Sequence, residues 1–173
     1  MNRIHLTLAI VLALIVGVAC SNRANTMSYG DSVKKALEQA DLKDVTVTED
    51  KDKNTITLGG KVHSDNAKQQ AGEVAQAAAG NRIVANEISV QPVGEESAAR
   101  NIASNVDDGI EKNYKAALIS KGLDKENIRF HSKNGVVTLK GRVKSPQQKQ
   151  EAQEIATNVP NVAQVVNELE VRR

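Results

Sequence analysis

The segments TITLGGKV (residues 55–62) and VVTLKGRV (residues 136–143) share the pattern Thr-Leu-x-Gly-x-Val at a separation of 81 residues. When residues 56–90 are aligned with residues 137–171 without a gap, 14 of 35 positions are identical, whereas composition alone would produce about two identities. The identical pairs are Thr57/Thr138, Leu58/Leu139, Gly60/Gly141, Val62/Val143, Ser64/Ser145, Lys68/Lys149, Gln69/Gln150, Ala71/Ala152, Glu73/Glu154, Ala75/Ala156, Val84/Val165, Asn86/Asn167, Glu87/Glu168 and Val90/Val171. The chain therefore contains a tandem duplication.

Each copy shows the same order of predicted elements. In copy two, an apolar residue recurs at every fourth position of the opening segment, which is typical of one face of a helix. These residues are Ile102, Val106, Ile110, Tyr114 and Leu118. In both copies two alternating segments joined by a turn-rich stretch then predict a β-hairpin. A second helix follows, with Ser64 or Ser145 as its N-cap, and a final strand ends at residue 90 or residue 171.

This order predicts an α+β fold of two small α/β domains, each αββαβ, with two helices packed on one face of a three-stranded mixed sheet. The helix between the last two strands makes them parallel, with a right-handed crossover. Gly60 and Gly141 fall at positions where alternation would place an inward side chain. Because a glycine there would let a helix approach the sheet closely, we interpret both as structural residues.

The start of the chain has the composition of a targeting segment. Residues 6–19 (LTLAIVLALIVGVA) are almost wholly apolar, but the run is shorter than the roughly 20 residues that span a bilayer and has the length of a signal-peptide core. Cys20 follows directly and is the only cysteine. The segment GVAC resembles a bacterial lipobox, which predicts lipidation of Cys20. The alternative is an ordinary signal-peptidase site, because Gly17 stands where a larger aliphatic residue is usual.

These features divide the chain into five segments. They are a signal peptide with a lipobox-like end (residues 1–20), a polar tether (21–30), domain 1 (31–91), a linker (92–97) and domain 2 (98–173). The stretch QPVGEE at residues 91–96 supplies the linker chemistry between the two copies.

Composition and motifs favour a protein without catalytic residues, cofactor or metal. The chain has 23 basic and 21 acidic residues, two Tyr, one Phe and no Trp, which is not typical of nucleic-acid binding. His63 and His131 lack partners at metal-ligand spacing, and no phosphate-binding loop is present. The Asn-Glu pairs repeated at 86–87 and 167–168 are interpreted as a turn-satisfying Asn beside an outward-facing Glu.

The pattern TLxGxV, the Ser-capped helix and the closing pattern VxNE(I/L)xV resemble the BON domain family over roughly residues 31–90 and 101–172. Two such domains behind a leader resemble the dual-BON lipoproteins and osmotically induced periplasmic proteins of Gram-negative bacteria. The resemblance implies a non-enzymatic envelope protein that binds an anionic phospholipid membrane and supports envelope integrity or osmotic tolerance. It would lie on the periplasmic side of the envelope, anchored in the outer membrane through Cys20 or soluble in the periplasm. An envelope-assembly module that binds other proteins, and a holdase-type chaperone, are the alternatives.

Two groups of cations are candidate lipid contacts under this interpretation. Lys112, Lys115 and Lys121 lie around the first helix of domain 2, next to Tyr114. A basic helix with an aromatic residue at its border suits an anionic membrane surface. The alternative is that Tyr114 belongs to the core and the lysines form a solvated rim.

The second group lies on the repeated strand of domain 2. Lys140, Arg142 and Lys144 alternate there, whereas copy one has only Lys61 at the corresponding positions. Because alternate residues of a strand share one face, the sequence predicts a cationic row on domain 2.

Overall fold

The computed structural model describes residues 28–172, so the predicted leader and Cys20 lie outside the described residues. The elements are α1 (Tyr29–Gln39), β1 (Val45–Asp50), β2 (Thr55–Val62), α2 (Asp65–Ala78), β3 (Ile83–Asn86), β4 (Ser89–Val90), α3 (Glu96–Ser120), β5 (Asn127–Lys133), β6 (Val136–Val143), α4 (Pro146–Thr157) and β7 (Gln164–Val171). The predicted α+β fold of two repeated units is confirmed.

The sheets have the predicted mixed topology. In domain 1, β2 pairs antiparallel with β1 and parallel with β3 and β4. In domain 2, β6 lies between antiparallel β5 and parallel β7. The repeated segment TLxGxV is thus the central strand of each sheet, and α2 or α4 forms the crossover to the parallel neighbour.

The final strand of domain 1 is interrupted, although the sequence predicts one strand. Leu58 pairs with Asn86 and Lys61 pairs with Ser89 in the same register, but the ladder is broken between them. The gap lies opposite Gly59 and Gly60, and consecutive glycines weaken a strand because they supply no side chains to pack. In domain 2 a lysine replaces the first of these glycines, and β7 is continuous.

Each domain has its own apolar core between the helices and one face of the sheet. The core of domain 1 contains Val33, Leu37, Val45, Ile56, Leu58, Val62, Ala71, Ala75, Ala79, Val84 and Ile88. The core of domain 2 contains Ile110, Tyr114, Leu118, Leu123, Val137, Leu139, Val143, Ala152, Ile155, Ala156, Val159 and Leu169. Because strand residues alternate between faces, the residues between these core positions lie on the sheet face that carries no helix.

Gly60 and Gly141 have a packing role, but their close neighbour is a strand and not the predicted helix. Both have positive φ, +88° and +117°. A Cβ on Gly60 would lie 2.2 Å from the Asp44 carbonyl oxygen, and a Cβ on Gly141 would lie 2.0 Å from the Asn127 carbonyl oxygen. The glycines therefore allow the central strand to turn beside the start of the hairpin partner.

The repeated asparagines tie the terminal strand to the crossover helix, which corrects their interpretation as turn residues. The Asn86 amide donates to the Lys68 carbonyl at 2.9 Å, and the Asn167 amide donates to the Lys149 carbonyl at 3.0 Å. A helix carbonyl can accept a second hydrogen bond. The same contact recurs in both domains, which explains why the asparagine is identical in the two copies.

Two helices extend into segments that the sequence assigns to connections. Helix α1 begins at Tyr29, within the predicted tether, after Ser28 caps it. Helix α3 begins at Glu96, within the predicted linker, and has 25 residues against 11 in α1. The four-residue periodicity predicts Ile102 on the buried face of α3, but its side chain is 64% exposed. The first turns of α3 therefore extend beyond the core of domain 2.

Candidate functional site

Tyr114 is a core residue and does not contact the surface, which corrects its prediction as a lipid-binding residue. Its side chain is fully buried, and its hydroxyl donates to the Ala152 carbonyl at 3.1 Å. Its ring packs edge-on against Phe130, with 4.8 Å between the two ring centroids. Burial raises the pKa of the Tyr114 phenol. Tyr114 faces the core because it lies on the same face of α3 as the buried residues Ile110 and Leu118.

The three lysines around α3 are exposed on the opposite side of that helix or at its end. Lys112, Lys115 and Lys121 form no ion pair among the described residues. Ile119 lies between them along the helix and is 55% exposed. The second half of α3 therefore presents cations together with an exposed aliphatic side chain, and we call Lys112, Lys115, Ile119 and Lys121 the α3 surface.

The predicted cationic row on domain 2 is a row of ion pairs. Lys140 and Arg142 face Glu168 and Glu170 on β7, their direct neighbours in the register, with N–O distances of 3.5 and 3.4 Å. Lys144 lies 2.7 Å from Glu126. Because each cation has a carboxylate partner, this row is a much weaker candidate for membrane contact than the α3 surface.

The two domains contact each other through the helix-free faces of their sheets. At the centre Ala85 of β3 packs with Val136 and Val166 of domain 2. The Gln164 amide completes the contact, because it donates to the Val84 carbonyl at 2.6 Å and accepts from the Asn86 backbone N–H at 3.1 Å. A side chain of domain 2 thus hydrogen-bonds to the free edge of β3.

Polar contacts surround this small apolar centre. Lys133 of domain 2 lies 3.2 Å from the Glu87 carboxylate, and Lys53 pairs with Glu170 on another side of the contact. The Lys68 ammonium donates to the Asn134 carbonyl at 3.2 Å, and burial lowers the pKa of Lys68. Because most of these contacts are charged or polar, salt and water compete with them.

A cleft of about 390 Å³ opens between the two helix-free faces. It is lined by Thr55, Thr57, Ala85 and Glu87 of domain 1 and by Arg129, Phe130, His131, Thr138, Lys140 and Glu168 of domain 2. Two repeated pairs, Thr57/Thr138 and Glu87/Glu168, have both members in this cleft. The duplication has therefore placed equivalent polar side chains of two sheets in one space.

The described residues supply no metal-binding cluster and no membrane span. In residues 28–172 no group of three or more His, Cys, Asp and Glu side chains is arranged to hold a metal ion. Over the same range no helix combines the length and apolar character needed to cross a bilayer.

Comparison with known proteins identifies the family. Residues 30–92 and 98–173 each match the BON domain. The chain belongs to the BON domain family. Within it, this chain is 28% identical over 142 residues to osmotically-inducible protein Y of Escherichia coli strain K12, an alignment that covers 81% of this chain and 69% of that protein.

Two solved structures resemble the fold more distantly. Both are of CdsD, described as a structural protein of the type III secretion system of Chlamydia trachomatis. Each is 12% identical over 82% of this chain, covers 96% or 90% of the solved chain, and has a TM-score of 0.35 or 0.36. At this distance the resemblance says nothing about the function of the BON domains here.

The sequence identifies the α3 lysines as candidates, and the structure places them on the surface, but the sequence does not predict the cleft between the sheets. The available signal was the identity of Thr57 with Thr138 and of Glu87 with Glu168, since neither pair is needed for an apolar core. Their meeting in one cleft depends on how the domains dock, and nothing in the repeat pattern specifies that docking.

Proposed function

We propose that this protein is a non-enzymatic BON protein of the bacterial envelope that contributes to stress tolerance by binding anionic phospholipid through the α3 surface. The observation that carries the proposal is that one part of α3 combines an exposed apolar side chain with lysines that form no ion pair within the described range 28–172. Family membership and the similarity to an osmotically-inducible protein support the link to envelope stress.

The α3 surface alone supports weak binding. Each cation near anionic head groups contributes about 1 kcal/mol, and full burial of an isoleucine contributes about 1.5–3 kcal/mol. Three lysines with the half-exposed Ile119 therefore supply about 4–5 kcal/mol, which corresponds to a dissociation constant of about 1 mM. Binding of that strength is useful to a protein that a second attachment already holds near the membrane.

Lipidation of Cys20 would provide that second attachment. One acyl chain gives only reversible membrane binding, whereas two or more chains, or one chain with a basic patch, hold a protein stably. Under this proposal the leader directs the protein to the periplasmic side of the envelope, Cys20 anchors it in the outer membrane, and the α3 surface orients domain 2 against anionic lipid.

Vesicle co-sedimentation of the chain with Cys20 replaced by serine tests the α3 surface without the anchor. We expect sedimentation with anionic phosphatidylglycerol vesicles at low salt, less at physiological salt because exposed charges are screened, and none with phosphatidylcholine. The double charge reversal of Lys112 and Lys115 to Glu should reduce the bound fraction about tenfold or more.

A matched control reverses Lys34 and Lys35 to Glu, because both are exposed lysines on α1 and the change in net charge is the same. If the α1 and α3 variants lose binding equally, bulk charge and not the α3 surface is responsible. Binding that survives the Lys112 and Lys115 reversal would contradict the proposal. Metabolic labelling of the native chain with a fatty acid, compared with Cys20→Ser, separately tests the anchor.

A further inference from the structure

We infer that the cleft between the two helix-free sheet faces binds a short free peptide, with Arg129 bonding its terminal carboxylate and Glu168 bonding its terminal ammonium. This inference rests on the cleft and is independent of the α3 surface. The first support is the convergence of Thr57 with Thr138 in one space of about 390 Å³, which is within the range of small-molecule sites.

Glu168 has an unused hydrogen-bond acceptor in the cleft. Its side chain is only 5% exposed, and its Oε2 atom accepts no hydrogen bond from any of residues 28–172. Lys140 lies 3.5 Å from that oxygen, which is an ionic contact without a hydrogen bond. Because a buried carboxylate oxygen without a donor is costly, a ligand N–H or ammonium group reaching Glu168 would satisfy it.

Arg129 requires an anion, whereas Glu168 requires a hydrogen-bond donor. It is exposed, lies beside Lys140 in the register between β5 and β6, and forms no ion pair within residues 28–172. Like charges directly opposite each other on a sheet are destabilising. Lys140 is paired with Glu168 whereas Arg129 has no such partner among the described residues, so an anion bound at Arg129 would reduce the repulsion. A guanidinium also binds a carboxylate in a planar two-point geometry.

The separation of these groups selects the size of the ligand. Arg129 lies on β5 and Glu168 on β7, with β6 between them. Strands are about 4.8 Å apart, so the two backbones are about 9.6 Å apart. An extended chain spans about 3.3–3.6 Å per residue, and a peptide of about three residues therefore places its two charged ends near the two side chains.

The threonines supply the remaining contacts. Thr57 belongs to domain 1 and Thr138 to domain 2, and both line the cleft. A hydroxyl can donate to and accept from peptide groups, so a bound peptide would contact both domains. Anything that binds the docked arrangement and not the separated one stabilises that arrangement, which predicts that the ligand tightens the contact between the domains.

An NMR titration of the ¹⁵N-labelled chain with trialanine tests the inference, with the amide signals of Thr57, Thr138 and Glu168 as reporters. N-acetyl-trialanine lacks the ammonium, N-acetyl-trialanine amide lacks both charges, and inorganic phosphate represents an anion alone. We expect trialanine to bind about tenfold or more tightly than the doubly blocked peptide, because each charged end adds a charge-assisted hydrogen bond.

Two substitutions assign the charged groups. Arg129→Gln should weaken trialanine binding about tenfold but leave the affinity for N-acetyl-trialanine amide unchanged, and Glu168→Gln should remove the preference for trialanine over N-acetyl-trialanine. Lys125→Gln, at an exposed cation of domain 2 that does not line the cleft, is the control. Unchanged Ala85 and Val136 amide signals verify that each variant remains docked.

Three results would overturn the inference. They are no shift at the reporters with any probe, equal binding of trialanine and its doubly blocked form, and phosphate or N-acetyl-trialanine binding as well as trialanine. The last would define a site for anions in which Glu168 has no part. Reversal of Lys112 and Lys115 should leave trialanine binding unchanged, which separates this test from that of the membrane proposal.

Discussion

The side-chain amide of Gln164 donates a 2.6 Å hydrogen bond to the main-chain carbonyl of Val84, so a residue of domain 2 bonds to the free edge of a domain 1 strand. The same amide accepts from the Asn86 backbone N–H. An unpaired strand edge can recruit other chains, and this contact covers that edge while holding the domains together. The apolar part of the contact is small, so the polar contacts, these two hydrogen bonds among them, have a large share in the docking.

Replacing Gln164 with alanine should therefore loosen the docking without unfolding either domain. Two neutral hydrogen bonds are worth about 1–3 kcal/mol together. We expect the Asn86 amide to exchange with deuterium about tenfold or more faster in the variant, measured by NMR at neutral pH. The core amides of Leu58 and Leu139 should keep their protection.

Gln150→Ala is the control for that experiment, because the Gln150 side chain donates to Glu154 within α4 and has no hydrogen bond to domain 1 among residues 28–172. If the Asn86 amide exchanges at the same rate in the wild type, Gln164→Ala and Gln150→Ala, the hydrogen bond from Gln164 does not hold the domains together.

Gly141→Ala should strongly destabilise domain 2. The residue has φ of +117°, and the new methyl group would lie 2.0 Å from the Asn127 carbonyl oxygen. Backbone strain of this kind costs about 1–3 kcal/mol before the clash is counted, and we expect a loss of at least about 2 kcal/mol in urea unfolding.

Gly109→Ala provides the matched comparison. Gly109 lies in α3, where an added Cβ meets nothing within 4 Å, so alanine should stabilise the protein by about 0.5–1 kcal/mol. Equal effects of the two substitutions would show that the positive φ and the close approach of Asn127 do not matter for stability.

The repeat predicts the topology well because each element has a local signal. The central strand, the Ser-capped helix and the parallel crossover all follow from residues close together in the sequence, and Ser145 does accept the hydrogen bond from the Gln148 backbone N–H. The repeat does not predict the interruption between β3 and β4, because it suggests that both copies behave alike even though the Gly59-Gly60 pair occurs only in copy one.

The candidate site could be predicted only in part. The exposure of Lys112 follows from the helical period of α3. The same period places Tyr114 in the core, because Tyr114 shares the buried face with Ile110 and Leu118. Pairing of Lys140 with Glu168 depends on the register between β6 and β7, which the crossover length does not specify. The cleft depends on domain docking through a few side chains, for which one chain carries no pattern.

Tyr114→Phe should cost about 1 kcal/mol at pH 7, because it removes the buried hydrogen bond to Ala152 and leaves the packing unchanged. Burial raises the pKa of the Tyr114 phenol in the folded state. Because the pKa is higher in the folded state than in the unfolded state, the neutral phenol contributes its full stabilisation below the ordinary tyrosine pKa of about 10. The free energy of unfolding of the wild type then falls as the pH rises above that value. The phenylalanine variant lacks this alkaline loss.

Urea unfolding at pH 7 and pH 11 measures the effect, and the stability difference between wild type and Tyr114→Phe should shrink or reverse at the higher pH. Tyr29→Phe is the control, because Tyr29 is 43% exposed. A difference that stays constant with pH would contradict the assignment of Tyr114 as a neutral buried phenol. Vesicle binding at pH 7 should be the same for wild type and Tyr114→Phe.

Glu126→Gln should lower the free energy of unfolding at neutral pH but have little effect on it in acid. The Lys144 ammonium, 2.7 Å away, donates a hydrogen bond that lowers the pKa of Glu126. A carboxylate with a lowered folded-state pKa stabilises the protein above its ordinary value of about 4.3 and loses that contribution as the pH falls through the lowered value. Urea unfolding at pH 7 and pH 3 should therefore show a difference between wild type and variant that shrinks on acidification.

Glu151→Gln on α4 is the control, because the Glu151 carboxylate forms no ion pair among residues 28–172. Its free energy of unfolding should differ from that of the wild type by the same small amount at both pH values. If the Glu126→Gln difference is equally constant, the contact with Lys144 contributes nothing to the acid sensitivity of domain 2.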